Sequence, residues 1–240
     1  MAGNPYLLPS VTTIPEVIHR LTDIQAYIAA NGPGRPDDGI GCFNTLYTVI
    51  TKQVLLGVQN GAFQDGPFMT ALDVAFANRY FDALRADALT PGSAPRPWQV
   101  LIDRRTDQGI SQLQFAAAGV NAHIDFDLAA AVVNTWLAIG GGPDSATQHV
   151  TYQQIDRIFA QEMDGLRHGF ETAGEARFDT GKIAKILDLF SDWTVDLTRD
   201  VAWGHACRLW ALRKAGLDAA YMDGLAISAG LVGQAILIHV

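Results

Sequence analysis

The amino-acid sequence predicts an all-α fold, a single-domain bundle of about seven or eight helices. Apolar residues recur at three- and four-residue spacings through most of the chain. No stretch keeps the alternation of a half-buried strand, and none has the Val/Ile-rich run of a parallel sheet. The punctuation is helical too, with caps and Pro at the starts of periodic stretches and Gly or Asn at their ends. With 240 residues, 49% hydrophobic and 18% charged, the chain holds enough apolar material to offset the entropy of ordering one domain over residues 1–240.

Pro15 opens the first helix where a missing amide hydrogen costs nothing, after Thr12 and Thr13 as caps, and the helix runs to about Ala30 before Gly32, Pro33, Gly34 and Pro36 stop it. The second starts near Asp38, carries Phe43, Leu46, Tyr47, Ile50, Val54 and Leu55 on its apolar stripe, and ends at Asn60-Gly61. The third follows Asp65 as N-cap, with Pro67 in its first turn, through Leu72, Phe76, Tyr80 and Leu84, and the proline-rich loop 90–97 ends it. From Trp98 to Ile139 there is no proline, and Gly109 and Gly119 are the weak points of either one kinked helix or two stacked ones. After Gly140 to Pro143, three further helices are expected: Thr151 to Phe170, Thr180 to Lys214 with a break near Ser191-Asp192, and Leu217 to His239.

A formal charge of −8 with only 17 Lys and Arg, and no basic run, argues against nucleic acid and against an anionic membrane surface as partners. Two cysteines, Cys42 and Cys207, suggest neither a disulfide framework nor a thiolate zinc knuckle, and both read as small buried hydrophobes. The N-terminus lacks the charged and apolar regions of a secretory signal, so a cytoplasmic protein is expected. The apolar segment Gly224 to Val240 is interrupted by Gln234 and His239, which fits a buried core helix better than a membrane span and leaves a homodimer face as the alternative.

Chemistry concentrates where Asn121, His123, Asp125 and Asp127 interrupt an otherwise Ala/Leu/Val helix. His123 and Asp127 are four apart, on one face, close enough for Asp127 to fix the imidazole tautomer or for both to share a metal. Asp73 lies within the apolar run Ala71 to Phe76, so its carboxylate points inward, and buried carboxylates are rare unless paired. Asp65, about two turns earlier, is both an N-cap and a candidate acid. Asn44, Tyr47, Arg79, Tyr80 and Asn121 are candidate substrate contacts on the neighbouring helices, and His205 is a candidate second imidazole. His19, His149, His168 and His239 read as solvent-facing, Lys182 and Lys185 beside Asp188 as a solvated pattern, and Trp193, Trp203 and Trp210 as core. Nucleophile-elbow, P-loop, dinucleotide and HExxH signatures are missing.

The blocks Phe43-Asn44-x-Leu46-Tyr47, Phe63-x-Asp65 with Leu72-Asp73-Val74-x-Phe76-Ala77-x-Arg79-Tyr80, and Gly119-x-Asn121-Ala122-His123-Ile124-x-x-Asp127-Leu128 resemble an uncharacterised actinobacterial all-helical family, a domain of unknown function. That resemblance implies a helical fold over most of residues 40–215 and brings no activity. The His123-x-x-x-Asp127 spacing is also similar to the zinc-binding helices of zinc-dependent phospholipase C and P1-type nucleases. The chain lacks the further histidines and the N-terminal tryptophan ligand of those enzymes, so a three-zinc centre is not implied.

The expectation is therefore an enzyme of small-molecule metabolism, in a compositional setting common in bacterial natural-product pathways. An interhelical pocket would hold His123, Asp127, Asp73 and Asp65 for acid-base chemistry such as cyclisation, elimination or hydrolysis, without a cofactor. The first alternative is a hydrolase with one divalent zinc or manganese ion on His123, Asp127 and Asp73, joined by His205. The second is a helical binding protein with no chemistry.

Overall fold

The computed structural model describes residues 3–33, 38–158 and 195–239, and among them there is no strand. The first helix, α1 (Ile14–Asn31), begins with a capping box in which Thr13 and Glu16 satisfy each other's amides. At the start of α2 (Gly39–Gln59), the buried Asp38 carboxylate accepts from the amides of Ile40 and Gly41 and pairs with Arg105 at 2.8 Å, tying the start of α2 to a segment far along the chain. Asp65 caps α3 (Gly66–Leu89) by accepting from the Phe68 amide. A short helix, α4 (Arg96–Arg104), starts inside the expected loop 90–97, because Pro97 occupies a first-turn position that needs no amide hydrogen.

The proline-free run from Trp98 to Ile139 resolves into two helical rods separated by residues 105–111, around the first of its two glycines. Ser111 and Gln114 form a second capping box, which starts α5 (Gln112–Asn121). A π-helical turn (Ala122–Asp127) follows, and α6 (Leu128–Ile139) completes the rod. Gly119 does not break it. A Cβ at that position would overlap the Phe43 side chain, so the glycine is what lets α5 lie against α2.

Residues 146–158 form α7, beginning before the expected Thr151, and α8 (Val195–Arg213) and α9 (Asp218–Ile236) close the described chain. Phe170, Thr180, the expected break near Ser191-Asp192, and His168, Lys182, Lys185, Asp188 and Trp193 lie outside the described residues.

The α5–π–α6 rod is the axis of the fold. Helix α2 lies along α5, α3 and α8 along α6, and α9 along α5, the π turn and α4. The rod's length and composition would suit a membrane crossing, yet 89% of its apolar window is buried inside the bundle, which identifies it as a core helix. The C-terminal helix departs from the core-helix expectation. Leu225, Ala229 and Gly233 of α9 are buried while Ile227, Leu231 and Val232 face outward. His149 is half-buried, with its ring stacked on Trp203 at 4.5 Å between centroids.

Replacing Gly119 by Ala tests this axis. Forcing a methyl into the Phe43 contact should destabilise the protein by about 1–3 kcal/mol in urea unfolding. A change within about 0.5 kcal/mol would show that α2 and α5 do not depend on the close approach.

Candidate active site

A π turn closes its hydrogen bonds five residues apart and accommodates an extra residue within a helix. Here the Leu128 amide donates to the His123 carbonyl, and the turn presents His123 and Asp127 inward. Asp127 is 1% exposed and accepts from three elements. The Trp98 indole N–H of α4 donates to Oδ2 at 2.8 Å, Arg79 Nε of α3 to Oδ1 at 3.0 Å, and His123 Nδ1 lies 3.1 Å from Oδ2. Every partner of this carboxylate is a nitrogen that can donate to it. Because it only accepts, it requires the proton of a neutral His123 to sit on Nδ1, leaving the lone pair on Nε2. Burial pulls the His123 pKa below its usual value despite the Asp127 bond, so the imidazole is neutral near pH 7. The ring is fixed by Phe76, stacked at 3.4 Å and nearly parallel, and edge-on by Tyr47 at 4.7 Å.

His123, Tyr47 and Asp73 line a cavity whose remaining walls are mostly hydrocarbon, including Leu46, Ile50, Ile124 and Leu128. About 30 Å³ of it is open to water centres, enough for roughly two water molecules. Seven buried side-chain atoms among the described residues have no hydrogen-bond partner, and three of them belong to this cavity: His123 Nε2, Tyr47 OH and Asp73 Oδ2. Burial raises the Asp73 carboxyl to about 7. Burial, reinforced by the Asp73 and Asp127 charges, holds the Tyr47 phenol well above its normal range, so it stays a donor. The cavity thus presents an acceptor nitrogen, a hydroxyl donor and a carboxyl poised between its two forms near neutrality.

Other sequence candidates are committed elsewhere. Asp65 is engaged as the α3 cap, with its amide donating to Thr151, and does not line the cavity. Asn44 donates to the Leu21 carbonyl and to Gln25, each at 2.9 Å, and accepts from the Tyr80 hydroxyl, so both residues join helices rather than face a substrate. Asn121 donates to the Ala229 carbonyl at 2.8 Å and fastens α9 to the rod. Arg79 acts through Asp127.

The metal-ligand set His123, Asp127 and Asp73 is not formed. Both Asp127 oxygens and His123 Nδ1 are turned to one another and to Trp98 and Arg79, and His205 belongs to a different cavity. No group of three His, Cys, Asp or Glu side chains converges as a ligand set among the described residues.

Two contributors were not singled out from the sequence. Trp98, at the start of an amphipathic helix, carried no signal beyond its size. Arg199 follows a polar stretch that reads as surface, yet it is 1% exposed and forms part of the cavity wall, held by Asp156, by the Tyr152 carbonyl at 3.0 Å and by the Tyr152 ring.

The profile of a family of unknown function, DUF5995, covers residues 14–239. The chain belongs to the DUF5995 family. No curated protein and no solved structure shows significant similarity to it. The site of this DUF5995 protein is accordingly defined by its own geometry.

Asp73→Asn isolates the unsatisfied carboxyl. The folded pKa of about 7 lies above the unfolded value, so the stability it costs is absent below about pH 4, grows between about pH 4 and 7 and is fully present above that. The full linkage cost is on the order of 4 kcal/mol, part of which the equally buried amide retains. The variant should be more stable than wild type at pH 8 by on the order of 2 kcal/mol, with the gap narrowing toward pH 4 in thermal unfolding. A variant less stable at pH 8, or a gap independent of pH, would mean Asp73 is paired.

Proposed function

We propose that this protein is a cofactor-independent enzyme that moves protons on a small, largely apolar metabolite bound against His123, Asp73 and Tyr47. What carries the reading is the convergence of three unpartnered buried polar atoms on one cavity, since each costs about 1–3 kcal/mol unless something bonds it. A bundle selected only for stability would have replaced them.

In this reading His123 Nε2 is the general base, and the Asp127 carboxylate on Nδ1 stabilises the imidazolium that forms. Asp73, in its protonated form, delivers a proton to the departing or newly charged oxygen, and the Tyr47 hydroxyl donates to negative charge developing there. For a dehydration, the base takes a proton from carbon, the electron pair forms the double bond, and the leaving hydroxyl departs as water with the proton from Asp73. Intramolecular cyclisation uses the same two groups, with the base taking the proton of the attacking hydroxyl. The apolar walls exclude bulk water and favour these reactions over hydrolysis. Because the cavity holds only water-sized guests, substrate binding requires wall side chains to move.

The low content of basic residues and the burial of the one long apolar helix among the described residues support a role away from nucleic acid and membranes, in the cytoplasm. The natural-product setting rests on composition alone.

Untargeted mass spectrometry of actinobacterial metabolite extracts incubated with purified protein tests the reading. Wild type should deplete one compound and produce another of equal mass or 18 Da lighter. His123→Gln and Asp73→Asn, folded by thermal unfolding, should each slow that conversion by about a hundredfold or more. Conversion retained by both variants would overturn the site, and extracts unchanged by wild type would favour a binding protein. Asp127 is less informative, since an amide there also disturbs Arg79 and Trp98.

A further inference from the structure

Asp125 lies two residues after His123 on the π turn and so on roughly the opposite face. It lines a second cavity, about 150 Å³ in volume, between the turn, α8 and α9. Its wall is formed by the buried Leu225 and, at the rim, by the exposed Val201 and Val232, with His205 and Ser228 as the other polar side chains. Among the described residues no hydrogen bond or ion pair reaches the Asp125 carboxyl, whose cavity is lined mainly by hydrocarbon; burial raises it to about 7, so it is mostly ionised at pH 8. His205 cannot serve as counter-ion. Its Nδ1 bonds the Tyr221 hydroxyl at 2.7 Å, and burial followed by the Arg208 charge lowers its pKa, leaving a neutral ring. A mostly buried carboxylate facing an apolar cavity without a cation is complementary to a ligand that brings one.

We propose that this cavity is a binding site for a small organic cation, an alkylammonium whose N–H groups meet the Asp125 carboxylate and Ser228 hydroxyl while its hydrocarbon part lies along Val201, Leu225 and Val232. The inference stands apart from the acid-base reading, because it uses none of the groups on the His123 cavity. It gives the π turn a ligand on each face, with Asp125 and His123 sharing one backbone segment.

The test uses the full-length protein, n-butylammonium chloride as probe, n-pentanol as its uncharged counterpart and sodium chloride as salt control. Binding is read from the imidazole NMR signals of His205, assigned with His205→Gln. At pH 8, n-butylammonium should shift the His205 signals saturably, while n-pentanol binds at least about tenfold more weakly. Asp125→Asn, checked for folding by thermal unfolding, should weaken n-butylammonium at least about tenfold, whereas Asp73→Asn should bind it as wild type does. Ser228→Leu, which narrows the cavity from its exposed side without removing the charge, should also abolish binding. Shifts that do not saturate, equal affinity for n-pentanol, or undiminished binding in Asp125→Asn or Ser228→Leu would overturn the proposal.

Discussion

The Asp127 carboxylate is the interaction on which the rest of the site depends. An ionised group 1% exposed is tolerated only where donors replace its water, and here they come from α3, α4 and the π turn itself. Those bonds fix how the three elements meet and select one tautomer of His123. The π turn inserts an extra residue in the middle of an otherwise regular rod, and it carries both the imidazole and the carboxylate that orients it. Phe76 then leaves the imidazole little room to rotate. A histidine held by a carboxylate on one nitrogen and open on the other is the arrangement that general-base chemistry requires.

Asp127 and Asp73 show how environment divides one residue type into two roles. Asp127 has a donor on each oxygen and serves to hold His123, Arg79 and Trp98 together. Asp73 meets no cation and keeps one oxygen unpartnered, so burial alone governs it and its carboxyl titrates near 7. His123, oriented by Asp127, and Asp73 are two acid-base groups with divergent settings on one cavity, a pattern that favours proton transfer over packing. The Asp38–Arg105 pair is a useful contrast within the same protein. It is equally buried, yet its carboxylate is fully occupied by a guanidinium and two helix amides, and it serves to join elements.

The helices were legible because their determinants are local. Thr13, Asp38 and Asp65 each do at a helix start what a short polar side chain does there, and the stripe Phe43, Leu46, Tyr47, Ile50 and Val54 is buried as its spacing requires. The pairing of His123 with Asp127 was legible for the same reason, since four residues return to one face. What sequence spacing could not show is which polar group uses up which. Asn44, Tyr80 and Asn121 are as inward-facing as expected, but their donor groups are directed to helix carbonyls and neighbouring side chains. Trp98 and Arg199 reach the site from segments far along the chain, and no periodicity announces a π turn. Gly109 and Gly119 look alike in sequence, yet one lies in a loop and the other admits Phe43, because only the packed neighbour distinguishes them.

The central claim is that Asp127 holds a neutral His123 with its Nε2 lone pair open to the cavity. Long-range proton-nitrogen NMR of the imidazole across pH measures this directly, with His123→Gln giving the assignment. The account predicts the Nδ1–H tautomer at pH 7 and protonation only below the ordinary histidine value of about 6.5. An Nε2–H tautomer, or an imidazolium already present at pH 7, would contradict it.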